Sequence, residues 1–289
     1  MAEWEPHTVT TAETIDPGPV TALAALFDNG LPAPGPGDEL PPMWHWVALP
    51  SWPVSTEIGS DGHPARGTFL PPVDLPRRMF AGGEVHWHSD IRIGETVRRI
   101  SRVDSVTEKS GRSGRLVVVV VSIRLYRDGG ELALTERQDL IYREAGTPSA
   151  TEAPVADAAA LTPVGSPFRR SDETDWEFTT DPTLLMRFSA ATANAHRIHY
   201  DWPYATRVEG YPGLVVHGPL ITLAAAEVRR LGAWPGRPVR LSHRNRAPLF
   251  CGQPAKLRAR PDTRSVTVDL FGPEGESAGS HASVEISLR

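Results

Sequence analysis

Gly218-Pro219-Leu220-Ile221-Thr222-Leu223-Ala224-Ala225-Ala226-Glu227-Val228 is the stretch that decides the fold. Proline suits the first turn of a helix, where its missing N–H has no partner to lose. The residues after it are apolar nearly all round. A surface helix carries its apolar residues in one stripe, whereas a helix apolar on every side has to be enclosed. Downstream, residues 239–246, 255–260, 265–271 and 277–288 read as strands, with Gly272-Pro273-Glu274-Gly275 at a turn. The simplest enclosure is an antiparallel sheet curled around the helix. A shorter helix, Leu184-Leu185-Met186 through Phe188, is announced by Asp181-Pro182, an N-cap followed by proline.

The first half of the chain has the same plan. Residues 84–88, 96–106, 115–127 and 131–143 read as strands, with Asp128-Gly129-Gly130 at a hairpin, and residues 20–27 form a short helix after Pro17-Gly18-Pro19. Placing Gly94 on Gly252, 158 positions apart, sets Ile91-Arg92-Ile93-Gly94-Glu95 against Leu249-Phe250-Cys251-Gly252-Gln253. Val85-His86-Trp87-His88 then meets His243-Arg244-Asn245-Arg246. The last hairpins align at 145, so one loop is 13 residues shorter in the second copy. A two-copy repeat of sheets predicts a pseudo-dimer: one continuous sheet about a pseudo-two-fold axis. The alternative is two unrelated β-rich halves with chance turns. On the repeat reading, residues 1–146 and 166–289 are the two modules and 147–165, small and rich in Ala, Thr and Pro, the linker. Residues 31–76 are Pro- and Trp-rich and aperiodic; so long a structured loop serves a site or covers a surface.

Composition narrows the class. The chain has 289 residues, one cysteine and a formal net charge of −5. One cysteine excludes a disulfide framework and a cysteine zinc site. The longest apolar run, 116–121, is far short of the roughly 20 residues that span a bilayer, and the first 19 residues are acidic rather than signal-like. The expectation is a soluble cytoplasmic protein, off the membrane, and the acidic balance argues against a nucleic-acid partner.

The densest polar cluster is Asn194-Ala195-His196-Arg197-Ile198-His199-Tyr200-Asp201, followed by Tyr204-Ala205 and by Gly213-Leu214-Val215-Val216-His217-Gly218. His196 and His199 raise a metal reading, but no third ligand has matching helical spacing, so no metal is expected. Surface histidines on a loop are the bland alternative. Chemistry is favoured by the element after the loop: the N-terminus of the enclosed helix lies at Gly218, and its free N–H groups can take a developing negative charge.

This stretch resembles the signature of the MaoC-like, or (R)-specific enoyl-CoA hydratase 2, hot-dog family: Asp-x-Asn-Pro-x-His-x-Asp-x-x-Tyr-Ala, then an aliphatic stretch ending in His-Gly. His199, Asp201, Tyr204-Ala205 and His217-Gly218 fall on the matching positions. Asn194 stands where the family has its catalytic aspartate, and His196-Arg197 replaces Asn-Pro. That variant, with Phe80-Ala81-Gly82-Gly83-Glu84 and Gly94-Glu95, is similar to the branch of 3-hydroxyacyl-thioester dehydratases type 2 and of mesaconyl-C4-CoA (3-methylfumaryl-CoA) and itaconyl-CoA hydratases.

The resemblance implies an α+β double hot-dog, two antiparallel sheets each wrapped around a central helix and fused as a pseudo-dimer. The catalytic loop would lie in the second half, while the first would have lost its site and help form the acyl tunnel. It implies a hydro-lyase acting on an acyl-CoA thioester, with no cofactor because CoA belongs to the substrate, and a homodimer of double hot-dogs. A C5 dicarboxylyl-CoA comes first as substrate; a fatty (R)-3-hydroxyacyl thioester, a thioesterase reaction and non-catalytic acyl-CoA binding are the alternatives. His199 would be the general acid/base, His196 its assistant and Asn194 a water-orienting group. Gly218 would supply the oxyanion-hole N–H. Arg197 would clamp a distal carboxylate unless it pairs with Asp201, and Tyr200, Gly213 and His217 would line the substrate. Tyr200 and Tyr204 read more as packing residues than catalysts, and His217 as the anchor of the loop at the helix start.

Overall fold

The computed structural model describes residues 4–111, 114–145 and 165–289. The first half supplies β1 (Thr8–Thr14), β2 (Arg77–Trp87), β3 (Thr96–Gly111), β4 (Gly114–Arg127) and β5 (Leu132–Arg143). The second supplies β6 (Phe168–Arg170), β7 (Asp175–Phe178), β8 (Pro238–Asn245), β9 (Ala255–Pro261), β10 (Ser265–Phe271) and β11 (Ala282–Leu288). All join one antiparallel sheet in the order β1-β3-β4-β5-β2-β8-β11-β10-β9-β7-β6. Outward from the β2–β8 seam the two sides have the same topology, with β6 added at one end.

The register at the seam establishes the pseudo-two-fold. Glu84 lies opposite Ser242, and these are 158 positions apart, the separation at which Gly94 matches Gly252. Gly82 opposite Arg244 and His86 opposite Arg240 are images of each other under the same shift. Equivalent residues face one another in this way when an axis passes between them.

The short helices are twins as well. In α1 (Pro17–Phe27) Asp16 accepts the N–H of Gly18 at 2.7 Å, and in α3 (Pro182–Ala191) Asp181 accepts that of Leu184 at 2.6 Å, each cap preceding a proline. The two pack together, and Phe27 at the end of α1 also lies edge-on to Phe168 of β6 at 5.2 Å. The symmetry breaks at the central helices. α4 (Gly218–Leu231) buries every residue from Leu220 to Val228 against β9, β10 and β11. In the first half α2 (His45–Ala48) is a single turn, and the rest of 31–76 is irregular apart from a turn at Ser55–Glu57. One core of apolar side chains runs through both halves.

Three strands have no clear sequence signal. β1 reads Thr-Val-Thr-Thr-Ala-Glu-Thr and lies exposed at the sheet edge, while β6 and β7 have three and four residues, too short for a period. The strand expected from 277 starts at Ala282, because Glu276–Ala278 form a 3-10 turn that ends on Gly279 at φ 86°. The expected linker, apart from Gly165, lies outside the described residues.

Candidate active site

α3 ends where Ala193 takes a left-handed φ of 52°, which turns the chain into the polar loop. The Asn194 N–H returns to the Ser189 carbonyl at 2.9 Å, and the Asn194 Oδ1 accepts the His196 N–H at 3.1 Å. A 3-10 turn, Arg197–His199, then brings His199 inward. Its Nδ1 lies 2.7 Å from the Val215 carbonyl, while the Val215 N–H donates to the Ile198 carbonyl at 3.0 Å. A carbonyl can only accept, so Nδ1 carries the proton and Nε2 keeps its lone pair. Burial holds His199 well below the usual imidazole range, and His196 and His63 add to the effect. It is a neutral base at neutral pH.

Beneath His199 lies His217, stacked at 3.6 Å and 17°, wholly buried, with Nε2 2.8 Å from the Ser189 hydroxyl and Nδ1 without a partner. His217 is also the N-cap residue of α4. The N–H of Gly218 precedes the intrahelical ladder, and Pro219 beside it has none. Glycine is required here by close approach: a Cβ would come within 2.7 Å of Asn245 Nδ2, which donates to the Phe80 carbonyl at 3.0 Å.

His199, His196, Asn194 and Gly218 line a cavity of about 850 Å³, whose far walls are first-half residues including Trp46, Phe80 and Glu136. The first half also clamps the loop. The Asp61 carbonyl accepts the Arg197 N–H at 2.9 Å, and Gly62, at φ 88°, lies so close to the Ala195 carbonyl that any side chain would overlap it. This brings the His63 ring to 4.0 Å from His196. On its other side His196 Nε2 meets Glu209 Oε1 at 3.1 Å, both groups buried. Burial lowers His196 to about 3, against the Asp61 charge, and raises Glu209 to about 7. For Asp61, the His63 hydrogen bonds and charge outweigh burial and hold it well below the carboxylate range. A neutral base and a free helix N-terminal N–H on one shared cavity suit transfer of water to or from an activated acyl group.

Residues 43–251 match the family of hydroxyacyl-thioester dehydratases type 2. The chain belongs to that family. It is accordingly a hydro-lyase acting on an acyl thioester. A mesaconyl-C(4)-CoA hydratase of Chloroflexus aurantiacus is 45% identical over 267 residues, 92% of this chain and 90% of that protein. Among solved structures, a MaoC-like dehydratase superposes with a TM-score of 0.68 at 15% identity, covering 99% of this chain and 98% of the other. A Mycobacterium tuberculosis protein described as having a double hotdog fold gives 0.57 at 15%, covering 100% and 96%. The fold is a double hot-dog.

Within this dehydratase-family chain, the residues anticipated for substrate binding sit apart from the cavity. Arg197 gives Nε and a terminal nitrogen to Asp201 Oδ2 at 2.9 and 2.7 Å and lies over the Tyr204 ring. Tyr200 is 46% exposed and donates to the Ala195 carbonyl. Gly213 packs against Trp202, and His217 lies under His199. The one carboxylate on α4, Glu227, is bound by Asn29 at 2.7 Å and Arg230 at 2.6 Å. It is outside the cavity that a thioesterase carboxylate would need to reach. Asn194 has one carbonyl lone pair committed to His196, which leaves the other and the NH₂ for a ligand.

The sequence did not single out Asp61, His63, Arg78, Glu136 or Glu209. Asp61-Gly62 was legible as a turn within the long loop, but which loop it touches is a matter of tertiary packing. Asp61, His63 and His196 each offer one ligand atom, all within 4.8 Å of one another, and are the residues that could hold a metal ion.

Proposed function

We propose that this protein reversibly adds water across the double bond of an enoyl-CoA thioester, with mesaconyl-C4-CoA, a branched C5 dicarboxylyl-CoA, as substrate and citramalyl-CoA as product. The observation that carries hydration is the convergence of His199 Nε2 and the Gly218 N–H on one cavity. The 45% identity to a mesaconyl-C(4)-CoA hydratase supports the choice of acyl group.

In this reading the Gly218 N–H donates to the thioester oxygen and draws electrons toward it, which makes the β-carbon electrophilic. His199 Nε2 removes a proton from water as the oxygen bonds to the β-carbon. The Val215 carbonyl steadies the imidazolium, while burial, with His196 and His63 adding to it, makes that state short-lived. The proton therefore passes to the α-carbon, and His199 returns to its starting tautomer. Asn194 holds the water. The reaction needs no cofactor, since CoA is part of the substrate; the enzyme is cytoplasmic and works as a homodimer of double hot-dogs.

The test monitors the enoyl-thioester absorbance. Its loss with mesaconyl-C4-CoA, without free thiol, bears the reading out. Thiol release would mean hydrolysis, loss with crotonyl-CoA alone would move the substrate to simple acyl chains, and no change with either would leave a binding protein. Activity persists after dialysis against a chelator, and the protein sediments at the mass of two chains.

A further inference from the structure

We infer that Arg78 is the recognition group for the second carboxylate of the substrate. The inference rests on the dicarboxylyl-thioester reading above and names the first-half side chain that would enforce it. Arg197, the clamp expected from sequence, is spent on Asp201 and on the Ser60 carbonyl. Five arginines do line the cavity: Arg77, Arg78, Arg99, Arg143 and Arg246. Arg99 is paired with Glu13 at 2.9 Å, and Arg246 is exposed and donates to Ser280. Arg77 lies over Tyr211 with Glu209 at 4.0 Å, and Arg143 has a partner of its own.

Arg78 differs from the other four. It is half-buried in the cavity wall, where desolvation lowers its guanidinium, and its neighbours are the Tyr142 hydroxyl, Asp61 and Arg66. Asp61 is engaged elsewhere, with His63 at 3.4 Å and Arg66 at 3.7 Å, and among the described residues no carboxylate oxygen lies within 4.0 Å of Arg78. The Tyr142 hydroxyl is itself buried without a partner in hydrogen-bond geometry. Around the site Arg66, Arg77 and Arg78 stand against Asp61 and a Glu209 that burial leaves half protonated near neutrality. A half-buried, partly desolvated cation without a counter-ion in contact is costly unless a ligand supplies one.

Its place fits this use. The Arg78 charge is among those that lower both His63 and His196, and the His196 ring meets His199 edge-on at 5.5 Å. In a four-carbon dicarboxylyl thioester the second carboxylate is bonded to the β-carbon, the atom that receives water. Its anchor must therefore lie beside the base, not at the end of a long tunnel. A guanidinium there binds the carboxylate through two donors and offsets its repulsion of the incoming oxygen. A methyl group in its place leaves the cation unpaired, which is how a polar site rejects an apolar analogue.

Calorimetric titration with succinyl-CoA and butyryl-CoA tests this without chemistry, since the two saturated four-carbon acyl groups differ only in a terminal carboxylate against a methyl. The wild-type protein binds succinyl-CoA about 10- to 100-fold more tightly. In Arg78→Met the ratio of the two dissociation constants falls towards one, and in Arg78→Lys, which keeps the charge but not the fork, it is intermediate. A wild type without preference overturns the inference and requires no variant. So does a ratio preserved in Arg78→Met, or an equal weakening of both ligands. Failure of the hydratase reading is seen separately, as unchanged absorbance when the wild type meets mesaconyl-C4-CoA, and leaves the binding ratio standing.

Discussion

The two halves share a sheet and differ in what lies on it. In the second, α4 covers β9, β10 and β11 with 14 residues. In the first, the counterpart strands β4 and β5 meet a helix of four residues, and their inward-facing Ile123, Leu125, Glu136 and Gln138 line the cavity instead. Losing three helical turns on one side of the pseudo-axis opens space beside the N-terminus of the helix that remains. The second half thereby supplies the reactive groups and the first the room. The contrast extends to one buried glutamate in each. Glu209 has burial as its dominant influence and is raised to about 7. For Glu136 burial is opposed by hydrogen bonds from His45 at 3.0 Å, Trp46 at 2.8 Å and Gln138 at 2.6 Å, which hold it below the ordinary carboxylate value.

The division of labour fails most visibly if chemistry survives without the second-half base. His199→Ala lowers kcat/KM for hydration about 100- to 10,000-fold, the range for a general acid/base. A rate near wild type would place the chemistry elsewhere. Next come the glutamates, whose pH dependences have opposite signs. Between pH 4.5 and about 7 the unfolded chain has lost the Glu209 proton and the folded chain has not. Its contribution is thus full below 4.5 and disappears as pH rises to 7, by about 3 kcal/mol at most. Glu209→Gln removes that slope from a series of melting temperatures against pH.

Glu136, lowered in the fold, contributes above its unfolded value and loses the contribution as pH falls through the folded one. Glu136→Gln therefore destabilises at neutral pH, by about 1–3 kcal/mol, and approaches wild type in acid. Parallel slopes in the two variants would erase the contrast. The smallest effects are at the twin caps. Asp181→Ala and Asp16→Ala each cost about 1 kcal/mol in urea unfolding. Hydration falls further in the first, because α3 leads directly into the loop that carries His199.

Much of this was readable along the chain because it is local or periodic. The cap at Asp181, the enclosed helix at Gly218, the hairpins and the 158-residue shift are all written in neighbouring residues, and so are His199, His196, Asn194 and Gly218, which do line one cavity. What escaped is contact across the pseudo-axis. Nothing near Asp61 or His63 in sequence says that they lie against residues 195–197, and nothing near Arg197 chooses between a ligand and Asp201. β1 escaped for another reason: an exposed edge strand needs no apolar alternation.

The seam register of Glu84 opposite Ser242 has a consequence for stoichiometry. A dimer of identical single modules would present two equivalent sites, and every substitution would appear in both. Fusion of the copies makes the mates of one axis independently mutable, so residues 31–76 can diverge toward ligand selection without disturbing the loop that carries His199. Titration with a tight-binding acyl-CoA analogue should accordingly saturate at one ligand per chain, not one per module.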